Sequence, residues 1–269
     1  MTFHQTRSGH GQPLLLVHGL GGSIRSWDPI SPTLSRSREV IALDLPGHGR
    51  TPEERDSGTF DGLACSLADW LDAEQLDGID MVGSSMGARL VREMARRGKA
   101  GRVVALDPGG FWKGWERTFF RTTITASIAL VRALRPALPA ITRNVAGRTA
   151  LMIQLSARPW ALDPAFLCQE LEALADTRTI RSLVADLATG AAQEGTPDTS
   201  KPVVIGWGRK DRLCLPRQAC RAMSAFPNAA MHWFEDSGHF PMWDQPAETT
   251  ELILGDKGIS HTPDELTKC

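Results

Sequence analysis

The chain of 269 residues contains no tyrosine and no marked excess of either charge. Lysine and arginine number 30 against 31 aspartates and glutamates, so the net charge of −1 argues against nucleic acid as a partner. The five cysteines include no C-x-x-C pair, and no His, Asp or Glu cluster has metal-ligand spacing, so no metal or other cofactor is expected. The start is polar, and no apolar run approaches the ~18 residues of a membrane span. We therefore expect a cytoplasmic protein without stable membrane insertion.

Short apolar runs alternate with helical patterns along the chain. Amphipathic stretches over residues 59–75 and 86–97 lie between runs that are continuously apolar, as strands covered on both faces are. The runs are "PLLLVHG", "EVIALDLPG", "IDMVGSS", "RVVALDPGG", "KPVVIGWG" and "AAMHWFEDSGH". The alternation predicts an α/β fold with a mostly parallel, doubly wound sheet.

One connection in this pattern is too long for a crossover helix. About 95 residues separate Asp107 from Pro202, whereas a whole crossover unit needs roughly 30. The excess is helix-patterned. We interpret residues 111–199 as an inserted helical lid and residues 1–110 and 200–254 as the core. The polar residues 255–269 are expected to form a flexible tail.

A serine stands between two glycines where a predicted strand turns into a predicted helix. In "GSSMG" the strand ends at Gly83 and the helix opens near Gly87, which places Ser85 in the turn. Glycines on both sides relieve the crowding of a tight turn, which would lift the Ser85 hydroxyl clear at the sheet edge. The local pattern by itself also fits a serine that caps an ordinary helix.

A serine nucleophile needs a base, and the base needs a carboxylate to orient it. His239 follows the last predicted strand in "DSGHFPMWDQP", and Asp211 follows the preceding strand in "GWGRKDRLCLP". Carboxyl ends of parallel strands line the ligand crevice of an open α/β sheet, and the order Ser, Asp, His is the one that the turn motif predicts. Asp107 also ends a predicted strand and is the alternative acid.

These motifs, together with "LLLVHGLGGSIRSW" and "ALDLPGHGRT", resemble the α/β-hydrolase superfamily and in particular its lid-bearing serine hydrolases. The resemblance implies that Ser85, Asp211 and His239 form a catalytic triad. It also implies that the backbone N–H groups of Leu20 and Met86 form the oxyanion hole. The candidate pocket residues are Gly19, Trp27, Trp112 and Phe240. One departure is Arg89, since members of the superfamily usually have a small residue there.

The resemblance implies a hydrolase, and particular residues limit which reactions of the superfamily this chain is expected to catalyse. Dehalogenases and epoxide hydrolases of this fold have aspartate at the turn, and the epoxide hydrolases use lid tyrosines, which this chain lacks. C–C bond hydrolases typically have tryptophan after the catalytic histidine, where this chain has Phe240. We expect hydrolysis of a small acyl or aryl ester or lactone through an acyl-enzyme. The alternatives are C–C bond hydrolysis, a haloperoxidase- or perhydrolase-like reaction, and a non-enzymatic receptor or scaffold.

The predicted lid is basic near its start. Glu116 is the one acidic residue between Phe111 and Trp160, against eight basic residues. These are Lys113, Arg117, Arg121, Arg132, Arg135, Arg143, Arg148 and Arg158. A cluster of one charge raises the local concentration of the opposite charge, so this pattern predicts an anionic substrate or an anionic lipid surface. A solvated helical face fits the same pattern.

Overall fold

The computed structural model of the chain describes residues 2–191, 193, 195 and 201–255. These residues form a seven-stranded sheet of order β1-β3-β2-β4-β5-β6-β7. The strands are β1 (Gln5–Ser8), β2 (Gln12–Val17), β3 (Arg38–Leu43), β4 (Ile79–Ser84), β5 (Ala100–Leu106), β6 (Val203–Gly208) and β7 (Ala230–Phe234). Within the described part of the chain, β1 alone pairs antiparallel, and the other pairs are parallel. The predicted α/β fold with a mostly parallel sheet is therefore confirmed.

The apolar pattern does not predict strand β1. Its four residues are polar and mostly exposed, so they carry no sign of burial. The strand is held at the sheet edge by pairing with β3, where Thr6 lies opposite Ala42. This pairing depends on residues far along the chain, which a local pattern does not record.

Helices cover both faces of the sheet. They are α1 (Ser31–Leu34), α2 (Phe60–Ala73), α3 (Met86–Arg96), α4 (Trp115–Leu134), α5 (Leu138–Arg143), α6 (Val145–Met152), α7 (Pro164–Asp176), α8 (Ile180–Thr189), α9 (Arg217–Ala225), α10 (Pro241–Asp244) and α11 (Pro246–Leu254). Leu15 and Val17 of β2 pack with α2, α3 and α9 on one face, and Leu14 and Leu16 pack with α1 and α11 on the other. Each such burial contributes roughly 1.5–3 kcal/mol, so both faces of a strand favour apolar residues.

Helices α4 to α8 lie between β5 and β6 in the chain and form a helical insertion. The insertion has an apolar cluster of its own, which includes Val131, Leu138 and Leu167. Residues 192, 194 and 196–199 of the predicted lid lie outside the described residues, as do residue 200 of the predicted core and residues 256–269 of the predicted tail. The boundaries of the lid and its role as a lid stay predictions.

Among the described residues, the segment Trp115–Arg143 is long and apolar enough to cross a membrane by length and composition alone. Its most apolar window is 17% buried. Ile128 in this segment packs against Ile180 and Val184 of α8. A helix that packs on another helix in a soluble protein can meet the same criterion of length and composition. The criterion therefore does not decide between the two cases, and the absence of stable membrane insertion stays a prediction.

Candidate active site

Ser85 occupies the turn between β4 and α3. Its backbone has φ 55° and ψ −113°, a strained conformation for a residue with a side chain. A Cβ added at Gly83 would collide with the carbonyl oxygen of Gly87, and one added at Gly87 would collide with that of Val17. The turn therefore needs glycine on both sides of Ser85, as the sequence pattern indicates.

Ser85, His239 and Asp211 form a hydrogen-bonded chain at the carboxyl ends of the strands. His239 Nε2 lies 2.9 Å from Ser85 Oγ, and His239 Nδ1 lies 2.7 Å from Asp211 Oδ2. Because an ionised carboxylate only accepts hydrogen bonds, Nδ1 carries the proton and Nε2 accepts from the serine hydroxyl. His239 and Asp211 are buried, so water competes little for these contacts. The arrangement can move a proton from Ser85 to His239.

Two aspartates end neighbouring strands, and they have different partners. Asp211 is fixed through Oδ1, which accepts the N–H groups of Leu213 at 2.7 Å and Cys214 at 3.0 Å. The Oδ1 of Asp107 accepts the N–H of Gly208 at 2.9 Å. Burial, followed by the nearby charge of Asp211, raises the pKa of Asp107 well above its usual range. Burial therefore favours the protonated form of Asp107, and Asp211 is the aspartate whose carboxyl group contacts His239.

The loop that carries His239 is tied to the helical insertion. The N–H of His239 donates to the carbonyl oxygen of Leu155 at 2.8 Å. The buried Asp244 accepts from Ser156 Oγ at 2.5 Å and from the N–H groups of Ala157 and Gly238 at 2.8 Å. The sequence pattern does not indicate this role of Asp244, although the residue belongs to the segment "DSGHFPMWDQP". Two of its partners, Ser156 and Ala157, come from the insertion, so spacing along the chain does not reveal them.

A cavity opens beside Ser85. The helical insertion supplies much of its apolar wall through Phe120, Ile124, Ile128, Leu155, Leu174 and Leu187. Of the residues predicted for the oxyanion hole and pocket, Leu20, Met86, Trp112 and Phe240 line this cavity. Gly19 lines an adjoining cavity, together with Leu20 and Phe240.

Trp27, a predicted pocket residue, lines neither of these two cavities. The side chain is fully buried in the apolar cluster between the sheet and α1, where Ile30 and Leu34 also lie. It ends a short 3₁₀ turn whose first N–H groups are capped by Ser23. That turn directs the indole toward the face of the sheet, where burial of its large apolar surface stabilises the fold.

Leu20 and Met86 both line the cavity beside Ser85. Met86 is the first residue of α3, and the first N–H groups of a helix have no acceptor within it. The loop before Leu20 is fixed by His18, whose Nδ1 donates to the Gly19 carbonyl at 2.8 Å and whose Nε2 accepts the Leu45 N–H at 3.0 Å. Burial lowers the pKa of His18, which keeps the ring neutral for these roles. The use of the two amides as an oxyanion hole stays a prediction.

The basic residues of the predicted lid do not line the cavity beside Ser85. Arg132 donates to the carbonyl oxygens of Ala175 and Thr177 at 3.0 and 3.1 Å. Arg148 donates to the carbonyl oxygen of Trp160 at 2.7 Å. These contacts satisfy the helix ends of the insertion itself. The positive charge of the predicted lid therefore gives no support to the prediction that the substrate is anionic. Within the described lining of the cavity, the arginine that does contribute is Arg89.

Among the described residues, Asp211, Cys214 and His239 bring three potential metal ligands within 4.8 Å of one another. Burial raises the pKa of the Cys214 thiol well above its usual range, so this sulfur is protonated and a poor ligand. The Asp211 and His239 atoms are already bonded to each other. The donor set fits the hydrogen-bonded chain better than a metal site.

Comparisons with known proteins agree with this architecture. Residues 14–252 match the Alpha/beta hydrolase family, and the chain belongs to that family. An uncharacterized protein of Mycobacterium tuberculosis is 29% identical over 262 residues, which cover 91% of this chain and 75% of that protein. A 2-hydroxy-6-oxononadienedioate/2-hydroxy-6-oxononatrienedioate hydrolase of Pseudomonas putida is 24% identical over 275 residues, covering 94% and 91%. A thermophilic esterase of Thermogutta terrifontis superposes with a TM-score of 0.74 at 21% identity, covering 94% and 92%.

Proposed function

We propose that the protein is a serine hydrolase of carboxylic esters or lactones. The observation that carries the proposal is the hydrogen-bonded chain of Ser85, His239 and Asp211 at a cavity. As Ser85 Oγ attacks the ester carbonyl carbon, His239 takes its proton. Asp211 holds the imidazole in the required tautomer and stabilises the imidazolium that forms.

The attack turns the carbonyl oxygen into an oxyanion, which needs hydrogen-bond donors. The N–H groups of Leu20 and Met86 are the candidates, and one such donor contributes about 3–4 kcal/mol. His239 then gives its proton to the leaving alkoxide, which departs as an alcohol, or stays attached as a hydroxyl group if the substrate is a lactone. Water attacks the acyl-enzyme with His239 as the base, which releases the acid and restores Ser85.

The cavity wall is consistent with an apolar acyl or aryl group. It is mostly apolar, as the walls of small-molecule sites usually are. The wall includes Trp112 and Phe120, whose rings stack with centroids 4.2 Å apart. A flat, rigid surface of this kind favours planar or extended apolar groups.

Hydrolysis of a C–C bond is the second candidate. It is favoured by the similarity to the Pseudomonas putida hydrolase over 94% of this chain. The same serine, histidine and aspartate would serve that reaction. Phe240 stands where C–C bond hydrolases typically have tryptophan, and for this reason we rank ester or lactone hydrolysis first.

A substrate panel tests the proposal. Wild type, Ser85→Ala and Ser84→Ala are assayed with p-nitrophenyl esters, lactones and ring-cleavage diketones. We expect Ser85→Ala to lose roughly 10⁶ in kcat on the best substrate. Ser84→Ala is the matched control, because Ser84 is fully buried in β4 and does not line the cavity. Retention of a tenth of the activity by Ser85→Ala would contradict a serine mechanism, and a preference for diketones would favour the second candidate.

A further inference from the structure

The exposed apolar side chains of the molecule are concentrated on the helical insertion. In the described part of the chain, five large apolar residues are between 50% and 59% exposed, and all five lie in the insertion. They are Trp115, Leu130, Val145, Ile153 and Trp160. Soluble proteins usually scatter such residues singly over the surface, so their concentration in one region indicates a surface with a binding partner.

The outward-facing positions of α4 and α6 also lack charge. After Arg121, the exposed residues of α4 are threonine, alanine and leucine, and those of α6 are valine and alanine. Helix α2 of the core differs, because it exposes Asp61, Asp69 and Asp72. A helix that faces water normally carries charged residues on its exposed side. The outer sides of α4 and α6 therefore suit a less polar medium than water.

The outer sides of α4 and α6 adjoin each other. Val131 of α4, Leu138 of α5 and Met152 of α6 pack in the same apolar cluster. Gln154, just after α6, donates to Thr123 Oγ1 of α4 at 3.1 Å. These contacts hold the helices together around the cluster, and their exposed residues point away from it. We call the exposed residues of α4 and α6, together with Ile153 and Trp160, the outer surface of the insertion.

The charges next to the outer surface are positive and mostly unpaired. Five basic residues between Phe111 and Trp160 are exposed and form no ion pair within the described part of the chain. The one acidic residue of this segment, Glu116, is buried and paired with Arg217 and Arg221. The net charge of the whole chain is −1, so positive charge is concentrated here while the rest of the chain is negative. The five exposed basic residues are Lys113, Arg117, Arg121, Arg143 and Arg158.

We propose that the outer surface of the insertion docks on the surface of an anionic phospholipid bilayer. Tryptophan and apolar side chains favour the interface between headgroups and acyl chains, and lysine and arginine are attracted to anionic headgroups. A second copy of the chain, docked by two-fold symmetry, would bring the same positive charges together. The charge therefore favours lipid over self-association.

The docking is peripheral, because the inner side of α4 stays engaged with the protein. Ile128 packs against Ile180 and Val184 of α8, and Phe120 and Ile124 line the cavity beside Ser85. Helix α4 would thus lie on the bilayer, with the cavity on its opposite side. This binding does not depend on the proposed function, since it requires no turnover.

Flotation of the full chain with vesicles tests the proposal. Vesicles of phosphatidylcholine are compared with vesicles in which about a third of the lipid is phosphatidylglycerol. We expect at least about tenfold stronger binding to the anionic vesicles at low salt, and a smaller difference at about 0.5 M salt. Equal binding to the two kinds of vesicle, or binding to neither, would overturn the proposal.

A pair of charge insertions tests whether the apolar part of the outer surface makes the contact. Leu130→Glu places a negative charge in the outer surface and should weaken binding to the anionic vesicles about tenfold. Ala73→Glu adds the same charge to an exposed position of α2 and should bind as the wild type does. Equal losses in the two variants would contradict the proposal. So would a lipid-independent dimer of the wild type that Leu130→Glu abolishes, because the surface would then belong to a second copy.

A pair of charge removals tests the basic residues. Arg121→Gln/Arg143→Gln should lower the preference for anionic vesicles about tenfold. Arg36→Gln/Arg55→Gln removes two exposed arginines of the core, and it should keep the wild-type preference. Equal preference in the two double variants would mean that overall charge, and not this surface, directs the binding, which would overturn the proposal.

Discussion

The sheet edge and the helical insertion contribute to the same cavity in different ways. The sheet edge supplies Ser85, Asp211 and His239, each in a short segment that follows a strand, and hydrogen bonds of 2.7 and 2.9 Å join them. The insertion supplies apolar wall residues such as Ile124 and Leu174, while several of its arginines satisfy its own carbonyl groups. Changes at the sheet edge should therefore alter the reaction, and changes in the insertion should alter which substrates fit.

The two regions are not independent. The His239 loop is held by the insertion through the Leu155 carbonyl and through Asp244. A second contact joins α7 of the insertion to the loop after β2, where Ser26 Oγ donates to Glu170 Oε2 at 2.6 Å. The insertion thus also helps to place the groups that carry the proposed chemistry.

The largest expected loss of activity distinguishes Asp211 from Asp107, the two aspartates at the sheet edge. Asp211→Asn should lower kcat by about 10⁴, because the amide favours the wrong tautomer of His239. Asp107→Asn should cost far less activity, because Asp107 accepts the N–H of Gly208, whereas the partner of His239 Nδ1 is Asp211. Steady-state kinetics on the best ester measures both variants. A larger loss of kcat in Asp107→Asn than in Asp211→Asn would identify Asp107, at the end of β5, as the acid. The proposed roles of Ser85 and His239 would then be unchanged.

A change of intermediate size, in the free energy of unfolding, is expected at the contact between Glu170 of the insertion and Ser26 of the loop after β2. Burial raises the pKa of Glu170 to about 8. Between about pH 4.5 and 8, the folded protein therefore keeps a proton on Glu170 that the unfolded chain has already released. The stabilising contribution of Glu170 is therefore full below pH 4.5 and is lost as the pH rises toward 8. Glu170→Gln cannot release this proton. Relative to wild type, the variant should gain roughly 2–4 kcal/mol in unfolding free energy between about pH 5 and pH 8.

Urea unfolding of wild type and Glu170→Gln at the two pH values measures this change. Glu172→Gln, on the same helix but only half-buried, is the matched control and should show the pH dependence of the wild type. A constant difference between wild type and Glu170→Gln at both pH values would mean that Glu170 is ionised in the folded protein. The contact with Ser26 would then have to be described as a charged hydrogen bond.

The smallest effect tests the insertion as the wall of the cavity. Ile124→Trp places a larger side chain in the wall, so kcat/KM should fall about tenfold more for an octanoate ester than for an acetate ester. Leu130→Trp adds the same side chain to the same helix at a position that is 50% exposed, and it should leave the ratio unchanged. Equal losses on both esters in Ile124→Trp would show that the acyl group does not reach this wall.

The sheet edge could be predicted from the sequence because its signals are local. Glycines at a strand-to-helix turn identify Ser85, and residues that follow apolar runs identify Asp211 and His239. The insertion could not be predicted in the same detail. Arg132, for example, donates to the carbonyl oxygen of Ala175, which lies 43 residues further along the chain.

The same limit applies to individual side chains. Trp27 follows a glycine-rich loop of the site, yet it packs into the core, since its direction depends on a capped turn. Arg89 stands out in the sequence as a departure from the superfamily pattern. Its place in the cavity wall could be found only with the insertion folded around it. Local steric rules are readable from sequence, whereas side-chain environments that depend on distant helices are not.

Covalent labelling tests the central claim most directly, because it reports the nucleophile without a known substrate. Wild type, Ser85→Ala and Ser84→Ala are incubated with a fluorophosphonate and analysed by intact mass and peptide mapping. The account predicts one phosphonyl group on wild type and on Ser84→Ala, attached at Ser85, and none on Ser85→Ala. An unlabelled wild type, or a Ser85→Ala variant labelled at the wild-type rate, would contradict the assignment of Ser85 as the nucleophile.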